Sequence, residues 1–178
     1  WLVWMTGLFG KEPQMSEIFY QQTFHSPLGP LTLVATEQAL LGAWFEGQQY
    51  ELRGYENCAM RREQTDVLEA AMRWLEAYFS GEELPSMPPL AAKGTTFQER
   101  VWQELLTIPL GQTRTYGQLA QALGSKSAQA VGGAVGKNPL SIFVPCHRVL
   151  GSDGSLTGYA GGLEKKSWLL DHERRGGK

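Results

Sequence analysis

Cysteine is scarce: Cys58 and Cys146 are the only two in 178 residues. Two thiols allow one disulfide and exclude a disulfide framework. Their settings differ, which favours reduced thiols in a reducing compartment and hence a cytoplasmic location. No C-x-x-C pair and no H-E-x-x-H string occurs, and His25, His147 and His172 do not cluster with the cysteines. No metal site is therefore expected. Nor does any apolar run reach the roughly 20 residues that span a bilayer. The opening WLVWMTGLFG is apolar but short, and it lacks the basic start and small-residue cleavage site of a signal peptide. Residues 1–14 read as a tail of unknown role, and Met15 is followed by an ordinary domain start. An apolar share of 42% with 19% charged residues excludes a disordered or fibrous chain.

The net charge of -2 hides an asymmetry. Residues 1–93 carry 6 Lys/Arg against 12 Asp/Glu, a net of -6, and residues 94–178 carry 10 against 6, a net of +4. A basic half beside an acidic one suits a negative partner, nucleic acid first. On charge alone, uneven solvated surface with no partner is an equally good reading.

The pattern along the chain predicts an α+β protein. Residues 18–25, 31–36 and 39–46 are short, partly alternating runs separated by turn residues, and read as a small antiparallel sheet. From Thr65, apolar residues at Val67, Leu68, Ala71, Met72, Leu75, Tyr78 and Phe79 have helical spacing, with Gly81 placed to stop the helix. Residues 81–94 have no period and three prolines. The expected units are thus an N-terminal α/β domain at 15–88, a linker at 89–94 and a mostly helical domain at 95–178. The second opens with Thr96 to Glu99 at capping-box spacing, and its first helix runs through Leu106. Residues 116–123 and 127–136 read as two short helices joined by a tight turn, a helix-turn-helix. Residues 140–145 read as a buried strand leading to Cys146, and 163–173 as a final helix.

Cys146-His147, inside V-P-C-H-R-V, is the candidate reactive pair. A thiol is strongly nucleophilic only as thiolate, a neighbouring base can take its proton, and a carboxylate can hold that base in the right tautomer. Adjacent residues on an extended chain point apart, so a bend or a bridging water is required. Asp153, Asp171 and Glu173 are the candidate carboxylates. A buried inert thiol beside a structural histidine remains open at this point. Residues 127–136 carry Ala128, Ala130, Gly132, Gly133, Ala134 and Gly136. Glycine costs about 1 kcal/mol in a helix relative to alanine, so these residues need a reason. Close approach to a DNA backbone is one, and tight packing on another helix is the other. Gly154 to Gly162 forms a glycine-rich loop in which Tyr159 could stack on a base, or simply pack.

In order and spacing, the strings IPLGQTRTYGQLA, AVGGAVGKNP, VPCHRV and TGYAGG, followed by WLLDHE, resemble the O6-alkylguanine-DNA alkyltransferases, also called methylated-DNA–protein-cysteine methyltransferases. The resemblance runs from about residue 16 to 174 and is strongest from Phe97 to Glu173. It implies an N-terminal ribonuclease H-like unit and a C-terminal winged-helix-like one. The activity it implies is single-turnover repair of DNA, moving an alkyl group from O6-alkylguanine to Cys146 without a cofactor. His147 then matches the residue that deprotonates the thiol through a water, Glu173 its orienting carboxylate, and Asn138 the link from helix-turn-helix to active site. Tyr116 matches the residue that helps rotate the nucleotide and donates toward guanine. Val149, Tyr159, Ala160 and Lys166 match positions around the base pocket. Arg114, Thr115, Tyr116, Lys126, Ser127, Ala128, Gln129, Gly132 and Lys137 form the expected DNA surface, which enters the minor groove of the duplex and flips the damaged nucleotide. One position departs: Gln129 stands where the family usually has arginine wedged into the base stack. No N-terminal cysteine cluster is present, so the zinc-bearing extension of some relatives is not expected.

Three rivals predict different behaviour. Lesion-binding relatives without chemistry lack the cysteine that this chain has. A cysteine hydrolase needs an oxyanion hole and leaves the helix-turn-helix without a role. A purely structural DNA-binding module tolerates loss of Cys146.

Overall fold

The computed structural model describes residues 17–176, so the expected tail at 1–14 lies outside the described residues. Strands β1 (Phe19–Ser26), β2 (Gly29–Ala35) and β3 (Leu40–Phe45) form an antiparallel meander. A two-residue strand β4 (Met60–Arg61) then adds to the free edge of β1 in the parallel sense, giving the order β3-β2-β1-β4. The sheet is therefore mixed, not purely antiparallel as expected. Residues 46–59 carry the chain from one edge of the sheet to the other, and such a crossover re-enters in the same direction. Two residues are too few to show alternation.

Helix α1 (Asp66–Ser80) starts where the Thr65 hydroxyl accepts from Leu68 N–H and stops at Gly81, whose φ of +74° is the left-handed conformation that glycine adopts freely. Its buried face (Leu68, Ala71, Trp74, Leu75, Tyr78) lies in the shared core with the sheet residues Leu31, Leu33 and Phe45. Residues 89–94 lie against β3: Leu40 N–H donates to Pro89 O at 2.8 Å, Ala91 N–H donates to Leu40 O at 2.9 Å, and Leu90 and Ala92 are buried.

The rest is mostly helical: α2 (Thr96–Leu105), α3 (Tyr116–Leu123), α4 (Ala128–Gly136) and α5 (Leu163–Gly176), with a two-residue parallel pair β5 (Arg114–Thr115) and β6 (Val149–Leu150). The cap of α2 is Thr95, paired reciprocally with Gln98, one residue before the expected Thr96–Glu99 box. The helix ends at Leu105, one residue earlier than read, and α5 runs three residues further. Thr115 caps α3 and Ser127 caps α4, while Gly124 at φ +66° turns the chain between them. Trp102 ties α2 to α4 through its indole N–H, which donates to Ala134 O at 2.9 Å.

The expected strand at 140–145 does not form. Leu140 bridges Ala43, Ser141 bridges Val144, and Ile142 makes the reversal at φ +74°. Asn138 holds this turn shut: its amide donates to Leu140 O (3.3 Å) and Val144 O (2.9 Å), and its oxygen accepts from Leu140 N–H (3.0 Å). A buried side chain thus supplies the bonds that a neighbouring strand would have given. One continuous core joins both halves, with Trp74 of α1 stacked on Phe143 at 4.8 Å between ring centres. Among the described residues no helix is long and apolar enough to cross a membrane.

Candidate active site

Cys146, His147 and Arg148 form one short 3-10 turn, entered from the Asn138-bridged reversal. The extended geometry expected for Cys146-His147 is absent; a turn of this kind sets successive side chains about 120° apart. Cys146 is 5% exposed and His147 fully buried. His147 Nε2 lies 2.5 Å from Glu173 Oε2. Of the three candidate carboxylates, Glu173 is the one placed on the histidine. Arg148 Nε donates to Glu173 Oε1 at 2.6 Å and its Nη1 to Ile108 O at 2.7 Å. Tyr78 of α1 donates to Glu173 Oε2 at 2.6 Å.

These contacts fix the protons. Burial pushes Glu173 up, but the hydrogen bonds and charges of His147 and Arg148 outweigh it and hold the carboxyl at about 2. An ionised carboxylate only accepts, so Nε2 of His147 carries the hydrogen and Nδ1 is left with its lone pair. Nδ1 is buried and has no hydrogen-bond partner among the described residues. Burial moves His147 below its ordinary value despite Glu173, so the imidazole rests neutral. Burial also raises the Cys146 thiol, with the Asn138 amide and the Lys166 charge pulling it partly back. The resting pair is therefore thiol and neutral base, with thiolate formed on demand.

Around the sulfur stand two phenols and an amine. Tyr116, the first residue of α3, donates to Thr157 O at 3.1 Å. Burial, then the nearby Cys146 charge, raise its pKa, which keeps its hydroxyl protonated. The Tyr159 hydroxyl is buried and without a hydrogen-bond partner among the described residues. Lys166, fully buried and brought down to about 8 by burial, donates to Thr157 O (2.7 Å) and Gly158 O (3.1 Å). It thereby anchors the glycine-rich loop beside Tyr116, whose ring centre lies 5.9 Å from the ammonium. Ala160 contributes a carbonyl that accepts from Gln49 N–H at 3.1 Å. Val149 is wholly buried and pairs with Arg114 across β5 and β6.

The helix-turn-helix presents Lys126, Ser127, Ala128, Gln129, Ala130 and Gly133 to solvent, while Val131, Ala134 and Val135 face the core. The glycines of α4 are not explained by packing. A methyl group at Gly133 or Gly136 would meet nothing within 4 Å, and one at Gly132 would make ordinary contact with the Tyr116 ring at 3.6 Å. Arg114 is only partly exposed and pairs with Glu104 at 2.9 Å. Lys137 caps the far end of α4, away from Lys126 at its start. Among the described residues no group of three His, Cys, Asp or Glu is placed to hold a metal ion.

Tyr78, Arg148 and the Trp74–Phe143 stack were not singled out from the sequence. Arg148 had a signal, lying inside V-P-C-H-R-V. Tyr78 had none, because a tyrosine in an apolar helical stripe looks like any core residue.

A buried thiol, followed in the chain by a histidine paired with a carboxylate and set beside a helix-turn-helix, defines the class: a candidate for thiol chemistry in a protein that binds nucleic acid. Comparison with known proteins narrows this. Residues 96–175 match the DNA binding domain of 6-O-methylguanine DNA methyltransferase, and residues 19–92 match its ribonuclease-like domain. The chain is 43% identical over 155 residues to a methylated-DNA–protein-cysteine methyltransferase of Methanosarcina acetivorans, covering 86% of this chain and 97% of the relative. It is 43% identical to the protein of that name from Shigella flexneri, covering 86% and 94%. Among solved structures it resembles Mycobacterium tuberculosis OGT in complex with DNA, with a TM-score of 0.80 and 40% identity over 88% of this chain and 94% of that one. This chain belongs to the 6-O-methylguanine DNA methyltransferase family.

Proposed function

We propose that this protein repairs DNA by moving the alkyl group of an O6-alkylguanine onto the sulfur of Cys146, once per molecule. The observation that carries the reading is the geometry at His147: a neutral, buried imidazole with Nε2–H on Glu173 and the Nδ1 lone pair free, next to a buried thiol. The thiol proton passes to Nδ1 across one water, since Nδ1 has no direct hydrogen-bond partner among the described residues. The thiolate attacks the alkyl carbon in line, a C–S bond forms, and the C–O6 bond breaks with its electron pair on guanine. A hydrogen bond donated by Tyr116 toward the ring stabilises the charge that develops on the departing guanine, and the raised Tyr116 pKa keeps the phenol protonated for that role. The thioether product is stable, which makes the transfer stoichiometric.

Duplex DNA is the proposed partner. The exposed face of α4 enters the minor groove, Ser127 to Gln129 lead, Lys126 meets a phosphate, and the damaged nucleotide turns out toward Tyr116, Tyr159 and the loop held by Lys166. The small side chains of α4 support this close approach. Residues 89–94 form the junction between the two functional units, and the reducing cytoplasm suits a thiol that must stay unoxidised. Intact-mass measurement after mixing with a duplex bearing O6-methylguanine tests the proposal. One added methyl group per protein, mapped to Cys146, is the expected result. Methylation at Cys58, or repeated removal of methyl groups by one molecule, would sink it.

A further inference from the structure

The N-terminal half reaches into the relay through one polar atom, the hydroxyl of Tyr78. Ala71, Trp74, Leu75 and Tyr78 fall three and four apart, so they share one buried face of α1. Tyr78 stacks on Trp74 at 5.5 Å and 11°, and Trp74 stacks on Phe143, three residues before Cys146. The backbone carbonyl of Tyr78 lies 2.6 Å from His172 Nε2, and its hydroxyl donates to Glu173 at 2.6 Å. Both ends of this residue are thus tied to consecutive residues of α5, 94 and 95 positions away in the chain. The stacking explains an aromatic ring at position 78. It does not explain the hydroxyl, which a phenylalanine would lack without loss of the stack.

Glu173 has little capacity to spare. Arg148 takes Oε1, while His147 and Tyr78 share Oε2. Two donors on one oxygen compete for its electron density, so each weakens its draw on the other's proton. The Tyr78 hydroxyl adds a third donor, beside Arg148 and His147, against rotation of the carboxylate about its last bond. We infer that Tyr78 is a positioning residue for alkyl transfer: its hydroxyl fixes Glu173 Oε2 and thereby sets the orientation and basicity of His147. This rests on the transfer reading above and deepens it, because the relay is then completed from the half of the chain that carries none of its reacting atoms.

The test is Tyr78→Phe, made in a Cys58→Ser background. Two rates are followed against pH: alkylation of Cys146 by iodoacetamide, which needs no DNA, and methyl transfer from an O6-methylguanine duplex. With its second donor gone, Oε2 draws harder on the Nε2 proton and stabilises the imidazolium. The acid limb of both profiles should move to higher pH. Transfer at neutral pH should slow roughly tenfold, by analogy with the low end of the loss when a partner that orients a metal-binding histidine is removed. Added to Glu173→Gln, the substitution should have no further effect. Fluorotyrosine at position 78, a stronger donor of the same shape, should move the limb the other way. An unmoved limb in both variants, or a loss that adds fully to that of Glu173→Gln, would overturn the inference and leave Tyr78 a core residue. The two readings fail separately: a parent protein that takes no methyl group from DNA refutes the repair reading, and the iodoacetamide profiles still decide on Tyr78.

Discussion

The two cysteines of this chain, one in each half, show how differently the halves are built. Cys58 lies in the loop before β4, partly exposed, beside the small cluster of Val34, Leu41, Trp44 and Tyr55. Cys146 is buried, set on a tight turn that Asn138 holds, with a histidine next to it whose proton is assigned by a carboxylate. The N-terminal half is acidic and supplies sheet, aromatic packing and one hydroxyl. The C-terminal half is basic and supplies the thiol, the base and the helix-turn-helix. Reactivity here belongs to the surroundings of a sulfur, and those surroundings draw on both halves.

The sharpest way to break this contrast is to remove each thiol in turn. Cys146→Ser should lose all transfer and keep DNA binding, while Cys58→Ser should transfer at the parent rate. Single-turnover assays and gel-shift titrations on the same duplex check both, and a slow Cys58→Ser protein would show that the N-terminal thiol takes part.

Next in size are the two groups behind the sulfur. General-base groups contribute about 100-fold to 10,000-fold. His147→Ala and Glu173→Ala should each slow transfer within that range. If, as proposed, the paired groups act as one unit, the double variant should lose far less than the product of the two. Fully multiplicative losses would reduce Glu173 to a structural carboxylate.

The third concerns pH. His147 is held below its ordinary value by burial, so the unfolded chain takes up a proton near pH 6.5 that the folded chain refuses. Stability is present above that pH and falls as pH drops, by at most about 1.4 kcal/mol per unit for one such group, until the folded-state value is reached. Denaturant midpoints measured from pH 7 to 5 should therefore fall more steeply for the parent than for His147→Gln.

The fourth effect is smaller and confined to the DNA face. Gln129 is exposed near the start of α4 and is shorter and less strongly bonding than arginine. If it is the wedge, Gln129→Arg should speed transfer from duplex a few-fold, since flipping costs a few kcal/mol and a better wedge offsets part of it. Transfer from the free O6-alkylguanine base should not change. No change on either substrate would pass the role to Arg114 or Tyr116.

What could be read beforehand was whatever is local. The bounds of α1, α3 and α4 follow from caps and stops within a few residues, and the VPCHRV string marks the reactive turn. The misreadings come from side-chain bonds and backbone angles that polarity patterns do not register, and the omissions from distance. Leu140 to Val144 is apolar enough for a strand, yet the side chain of Asn138 and the left-handed Ile142 make it a turn. β4 is two residues long and takes its sense from a partner 41 positions earlier in the chain. The pairing of Arg114 on β5 with Glu104 on α2 is likewise invisible to spacing. Tyr78 meets Glu173 across 95 residues, and no spacing rule reaches that far. Glu173 itself could not be separated from Asp153 and Asp171 by pattern. The family resemblance pointed to it, and the fold places it on His147.

The bare glycines of α4 carry a consequence for motion. Three of its nine residues are glycine, each giving up about 1 kcal/mol of helix propensity, and those at 133 and 136 recover nothing from neighbours. The helix proposed to meet DNA is thus held mainly by its buried edge of Val131, Ala134 and Val135, and its amides should open and exchange with solvent sooner than those of α1. Gly133→Ala would slow that exchange and raise stability by up to about 1 kcal/mol, at the cost of a methyl group between helix and duplex. Amide exchange in this one helix, with and without DNA, therefore reports how much of the ordering of the recognition surface is left for the duplex to complete.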